Sequence, residues 1–189
     1  MISQSHLTPV LRTILGQFPF EIRGFHSDNG SEFINGAVSG LLKELLIDQT
    51  KSRSRKCNDN GLVESKNGAV IRKHMGYGHI AAGHAPEIDE FYREHFNGYL
   101  NFHRPCGQAE RRVDGKGKEK FVYKVYRTPW EVLRGLEAVR EGESYLKEGL
   151  SLAELDRVAR AESGNDSGKR MQEAKRKLFQ GIQAKRKTA

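Results

Sequence analysis

Thirty-five residues lie between the aspartate of Phe25-His26-Ser27-Asp28-Asn29-Gly30 and the glutamate of Asn58-Asp59-Asn60-Gly61-Leu62-Val63-Glu64-Ser65. Each carboxylate has its own local setting. Asp28 ends a strand-like run over residues 20–25 and is followed by an Asn-Gly turn signal. Glu64 lies just inside a helix expected over residues 61–76, with Asn60 or Asp59 as its cap. Between them, residues 31–46 read as a helix, with Phe33, Val38, Leu41, Leu42, Leu45 and Leu46 apolar. Residues 47–51 read as a short strand and 52–60 as a polar loop. The chain must therefore deliver one acid from a strand end and another from a helix. Two such carboxylates can hold divalent cations, and a metal pair can drive in-line displacement at phosphorus.

The flanking segments are also patterned. Residues 6–16 carry apolar side chains at 7, 10, 11, 14 and 15, the spacing of an amphipathic helix, with Gly16 as a stop. Residues 85–100 read as a further helix, and Pro105-Cys106-Gly107 as a break. Residues 108–127 read as a β-hairpin turning at Asp114-Gly115-Lys116-Gly117, with residues 121–126 as its second strand. Thr128-Pro129-Trp130-Glu131 and Ser151-Leu152-Ala153-Glu154 are helix starts of the capping-box type. The second of these helices is expected to run to Ala161. Residues 163–168 read as a linker or turn, and 169–187 as a final basic helix.

Composition sets the partners to consider. With 189 residues, 37% hydrophobic and 30% charged, the chain permits a modest core and favours extended polar segments. It contains no apolar run long enough to span a bilayer, so no membrane association is expected. The first residues lack the basic and apolar regions of a signal peptide, which points to the cytoplasm. Cys57 and Cys106 match no zinc spacing and read as reduced thiols. The net charge of +8 is concentrated: residues 169–189 hold eight Lys/Arg against Glu173 alone. Such a tail attracts a polyanion, with a solvated basic helix as the alternative.

Three word-length matches accompany the spacing. His26-Ser27-Asp28-Asn29-Gly30-Ser31-Glu32-Phe33 resembles the signature around the second acid of the D,D-35-E triad of retroviral-type integrases and insertion-sequence transposases. Ser52-Arg53-Ser54-Arg55 followed by Asp59-Asn60-Gly61-Leu62-Val63-Glu64 resembles the run into the third acid. Tyr99-Leu100-Asn101-Phe102-His103-Arg104-Pro105 resembles the segment that closes the catalytic domain in many bacterial members. The resemblance covers roughly residues 1–137. It implies an α/β fold: a partial RNase H-like core, with an incomplete mixed sheet and helices, then a β-hairpin and a helical basic tail. The implied division is 1–105 for the core, 106–137 for the hairpin and helix extension, and 138–189 for the tail. Asp28 and Glu64 are then the catalytic and metal-binding carboxylates, for Mg2+ or Mn2+. In the intact family a metal-activated water frees a 3′-hydroxyl, which then attacks target DNA.

The first acid of that triad has no counterpart. No aspartate precedes Asp28, and the only earlier acid, Glu21, lies in the same expected strand. The chain therefore reads as the C-terminal portion of such an enzyme, with little or no catalysis alone. The strand before Asp28 would lack a neighbour and leave an edge prone to pairing. A homo-oligomer or a complementing transposase chain is the expected partner, beside DNA. A non-enzymatic DNA-binding regulator that associates with a full-length transposase is the alternative. An RNase H-type nuclease is a third reading.

Candidate DNA contacts are Lys51, Arg53, Arg55 and Lys56 in the loop before the Glu64 helix, and Arg72 and Lys73 on it. Many relatives carry a basic residue two turns after the glutamate, where this chain has Ile71. Around the hairpin, Arg104, Arg111, Arg112, Lys116, Lys118, Lys120, Lys124 and Arg127 face three acids, with Tyr123 and Tyr126 interleaved. Gly115-Lys116-Gly117-Lys118 has the wrong spacing for a phosphate-binding loop. His74, His79 and His84 recur at a spacing unsuited to zinc. His26 is adjacent to the site but is expected on the opposite face of the strand from Phe25, in a packing role.

Overall fold

The computed structural model describes residues 4–27, 36–53, 61, 64, 67–136, 139 and 145–188. Among them it is mixed α/β, with seven helices and two small sheets. Tertiary contacts divide the chain into Met1–Ile80 and Ala81–Ala189.

In the first unit, helix α1 (Gln4–Gln17) precedes strand β1 (Gly24–Ser27), helix α2 (Gly36–Glu44) and strand β2 (Asp48–Lys51). The two strands pair in parallel, from Gly24 opposite Asp48 to Ser27 opposite Lys51. Parallel neighbours need a crossover, and α2 lies in it. Its apolar residues Val38, Leu41 and Leu42 are buried with Leu11 of α1 and Ile47. Leu7, Leu15, Ile22 and Phe25 pack around that cluster. The strand expected over 20–25 is thus shorter and later, beginning at Gly24. The hydrogen-bond partner fixes its ends, and β2 pairs only from Asp48 onward. The short strand expected at 47–51 is present. The helix expected over 31–46 is seen from Gly36, since residues 31–35 lie outside the described ones.

The turn from α2 into β2 has a specific geometry. The Leu46 N–H donates to the Lys43 carbonyl (3.1 Å) and the Ile47 N–H to the Leu42 carbonyl (2.8 Å). This is the Schellman closure, with Leu42 and Ile47 supplying its hydrophobic contact. Leu46 occupies the left-handed position at φ 55°, where glycine is favoured, and its side chain is 89% exposed.

The second unit opens with a long helical run. A 3-10 turn (Ala82–His84) leads into α4 (Ala85–Phe91), which continues through π turns at Tyr92–Phe96 and Tyr99–His103. Helix α3 (Lys73–Met75) belongs to the first unit and closes a π turn over Asn67–Arg72. A π turn links residues five apart, and so places Phe96 behind Phe91. Both rings are buried and stack at 5.6 Å.

Next comes an antiparallel hairpin of β3 (Cys106–Val113) and β4 (Glu119–Arg127). Cys106 and Gly107, expected as part of a break, open β3; only Arg104 and Pro105 separate the helical run from the strand. Asp114 builds the turn, accepting from the N–H groups of Lys116 and Lys118 (2.9 Å each).

Helices α5 (Pro129–Arg134) and α6 (Leu152–Arg160) start with full capping boxes at Thr128/Glu131 and Ser151/Glu154. Helix α6 ends one residue before the expected Ala161. Asp156 ties these two helices together, accepting from the Trp130 indole N–H (3.1 Å) and from Arg134 (3.4 Å). The last helix, α7 (Gly164–Thr188), begins five residues earlier than expected. Ser163 caps it: its Oγ accepts from the Asp166 N–H (3.1 Å) and donates to the Asp166 carboxylate (2.7 Å). The first half of α7 is a packed element rather than a tail, with Ser167 and Met171 almost fully buried. Glu162, just before it, pairs with Arg170 and lies 3.7 Å from the buried His103 imidazole. Burial holds the His103 pKa below its usual value against the pull of Glu162, and Arg170 adds to the lowering.

Helix α7 approaches the helical run closely. A Cβ on Gly164 would meet the His103 carbonyl oxygen at 3.0 Å, whereas one on Gly168 would meet Tyr99 at an ordinary 3.5 Å. A backbone oxygen cannot rotate away. Gly164→Ala is therefore expected to destabilise the protein by about 1–3 kcal/mol, while Gly168→Ala is neutral or stabilising through helix propensity, by up to about 1 kcal/mol. Urea midpoints of the two variants test this, and equal shifts would refute it. Leu46→Gly is expected to raise stability by about 1 kcal/mol, by relieving the left-handed strain. A lowered thermal midpoint would count against that account.

Candidate functional site

In parallel α/β sheets, ligand sites form outside the carboxyl ends of the strands. Here those ends are Ser27 of β1 and Lys51 of β2, opposite one another in the register. Several hydrogen bonds fix this edge. The Ser52 N–H donates to the Ser27 carbonyl at 3.0 Å, and Ser52 Oγ donates to the same oxygen at 3.4 Å. His26 bridges outward, with Nδ1 2.9 Å from Thr50 Oγ1 and Nε2 3.2 Å from Ser52 Oγ. Because Ser52 Oγ donates to a carbonyl, it accepts from His26 Nε2–H, and Nδ1 then accepts from Thr50. Ser27 and Ser52 are buried, and Ser27 Oγ is without a hydrogen-bond partner among the described residues.

This network sets where the chain leaves the sheet toward Asp28, the next residue. Asp28 itself, with Arg55 and Lys56, lies outside the described residues, as do Asp59 and Asn60. Lys51 and Arg53 are exposed and flank Ser52 at this edge. The structure therefore brings two of the expected DNA-contacting residues beside the start of the Asp28 segment. Glu64 is helical and exposed, and comes from the segment after β2. Arg72 and Lys73 are exposed farther along that segment, which Gly76 ends at φ 79°. The Arg72 guanidinium sits 5.5 Å from the Tyr77 ring centroid, a cation–π contact. Ile71 is 41% exposed.

The sequence reading missed the role of His26. It is exposed and hydrogen-bonded rather than packed, because its strand partner presents Thr50 and Ser52 to the ring. Hydroxyl residues two apart, Thr50 on the second strand and Ser52 just past its end, were the available signal. Among the described residues no group of three His, Cys, Asp or Glu is placed to hold a metal ion. No described helix is long and apolar enough to cross a membrane.

No protein-family model matches the chain. A stretch of 68 residues is 38% identical to the uncharacterized protein y4rM of Sinorhizobium fredii (strain NBRC 101917 / NGR234). The match covers 36% of this chain, which spans about a fifth (19%) of the length of that relative.

The strand edge yields its own test. Ser52→Ala removes the hydroxyl that joins His26 to the Ser27 carbonyl and is expected to destabilise the protein by about 1 kcal/mol. Denaturant unfolding of Ser52→Ala, His26→Ala and the double variant should show non-additive losses. Strict additivity would mean that the three groups do not act as one network.

Proposed function

We propose that this chain is the catalytic-core portion of an integrase- or transposase-type DNA-joining protein with an RNase H-like core, in which Asp28 and Glu64 are two of three metal-binding carboxylates. One observation carries the reading: β1 pairs in parallel with β2, and its carboxyl end, pinned by Ser52, leads directly into Asp28. The Glu64 helical segment follows β2, as the resemblance requires. Oxygen donors of this kind suit Mg2+ or Mn2+, whose remaining coordination positions phosphate and water can fill. When bound, the cations supply Lewis acidity toward phosphoryl oxygens and an activated nucleophile. Lys51 and Arg53 at the same edge, with Arg55, Lys56, Arg72 and Lys73, would hold the DNA backbone by charge-assisted contacts.

The third carboxylate must come from sequence outside these 189 residues, in the same or another chain. The 189 residues alone are therefore expected to cleave little DNA. The two-stranded β1–β2 sheet offers an edge for pairing, which favours a homo-oligomer or a complementing transposase chain as partner. A non-catalytic regulator is the second reading, favoured by the basic α7, whose positive charge needs no metal to attract DNA.

Mn2+ titration followed by water-proton relaxation distinguishes the two. In the catalytic reading Asp28→Asn and Glu64→Gln each weaken Mn2+ binding about tenfold or more, since affinity follows ligand charge. Any metal-dependent nicking of supercoiled DNA falls by about 100-fold or more in either variant. Unchanged Mn2+ binding in both variants, with DNA binding intact, would overturn the catalytic reading in favour of the regulator.

A further inference from the structure

The β3–β4 hairpin carries an aromatic face that the proposed chemistry does not use. Register explains how it arises. Gln108 pairs with Val125 and Glu110 with Val122, so two residues of β4, Tyr123 and Lys124, stand opposite Ala109. This bulge resets the alternation of β4. Without it, Tyr126 would lie on the face opposite Phe121 and Tyr123. With it, Tyr126 pairs with Gly107 and shares their face. A Cβ built on Gly107 would touch both rings, Tyr123 Cδ1 at 3.2 Å and Tyr126 Cε1 at 3.5 Å. The small residues Gly107 and Ala109 thus leave room for the tyrosines to lie across the ribbon.

The three rings are solvent-exposed: Phe121 58%, Tyr123 55% and Tyr126 64%. Lys124 stands between the two tyrosines in sequence, and Lys120 precedes Phe121. Residues 106–127 hold seven Lys/Arg against three acids, a net +4. A second protein surface of ordinary composition would not call for that charge. A polyanion carrying flat apolar groups would.

We infer that this face is a binding platform for single-stranded DNA, with bases stacked on Phe121, Tyr123 and Tyr126 and phosphates held by Lys124 in the bulge and the other cations along the ribbon. Alternate residues of a strand lie about 7 Å apart, roughly twice the 3.4 Å rise per nucleotide within a duplex strand. Bases reach successive rings only from an unstacked strand. Aromatic faces bind bases by stacking, which is tolerant of sequence. The choice of DNA over RNA rests on the function proposed above; the stacking platform itself does not.

The test is fluorescence anisotropy of the full chain with labelled oligo(dT), a duplex of equal length and oligo(U), all in EDTA. Metal-free conditions separate this proposal from the catalytic one, and Asp28→Asn or Glu64→Gln should leave oligo(dT) affinity unchanged. Tyr123→Ala, Tyr126→Ala and Phe121→Ala should each weaken oligo(dT) binding about 5- to 150-fold, with the salt dependence retained. Tyr123→Trp should restore binding. Lys124→Ala should reduce the salt slope by about one. Because these side chains are exposed, unchanged far-ultraviolet dichroism should accompany the losses. Equal affinity for duplex, or full binding by the triple alanine variant, would overturn the platform. Preference for oligo(U) would overturn the assignment to DNA. Self-association that is lost in Tyr126→Ala, without oligonucleotide binding, would assign the face to a second copy instead and end the proposal.

Discussion

The parallel pairing of Gly24–Ser27 with Asp48–Lys51 is the constraint on which the first unit depends. A parallel pair cannot be closed by a tight turn, so the chain must cross over, and the crossover is stable only if its helix buries an apolar face. Val38, Leu41 and Leu42 supply that face, and Leu11 of α1 covers it. The Schellman closure at Leu46 then returns the chain at Ile47, which joins the same cluster. One buried contact, Leu42 with Ile47, both ends the helix and starts the strand. The strained Leu46 is tolerated because Leu42 before it and Ile47 after it are fixed by packing.

The second unit is organised differently. Its last three helices are started by short polar words and tied in by single carboxylates. Asp156 links α5 to α6 through Trp130 and Arg134, and Glu162 joins His103 to Arg170 at the start of α7. Partly buried pairs of this kind are weak as stabilisers but selective about geometry. The apolar contribution comes from Phe91, Phe96, Phe102, Trp130, Leu155 and Met171. Several α7 cations are engaged within the fold, Lys185 with Glu87 and Arg176 and Lys177 with Glu173. The charge excess of this helix is therefore partly structural.

Function, on this reading, is distributed over two kinds of surface. The carboxyl ends of β1 and β2 combine a rigid hydroxyl–imidazole network with exposed Lys51 and Arg53. The hairpin combines flat rings with lysines and has no buried face of its own. The first suits chemistry that needs a carboxylate held in place. The second suits contact that tolerates many sequences. Both follow from where the backbone places ordinary residue types rather than from unusual chemistry.

Local signals were legible in the amino-acid order. Capping boxes at Thr128 and Ser151, the Asp114 turn and the amphipathic α1 act within a few residues, so the sequence alone determines them. The same logic applies to Ser163 and Asp166, but the Gly-Asn-Asp-Ser-Gly run around them reads as a break until the helix packs against His103. Strand limits were not legible, because β1 ends where its partner's hydrogen bonds end, 24 residues away in the chain. Nor was the aromatic face: strict alternation puts Tyr126 opposite Tyr123 in parity, and only the bulge set by pairing with β3 reunites them. The role of His26 was hidden for the same reason, since Thr50 and Ser52 become its neighbours only through the parallel register. The sequence determined which residues were available. The tertiary structure decided which of them share an edge, because that depends on pairing between segments that no local preference encodes.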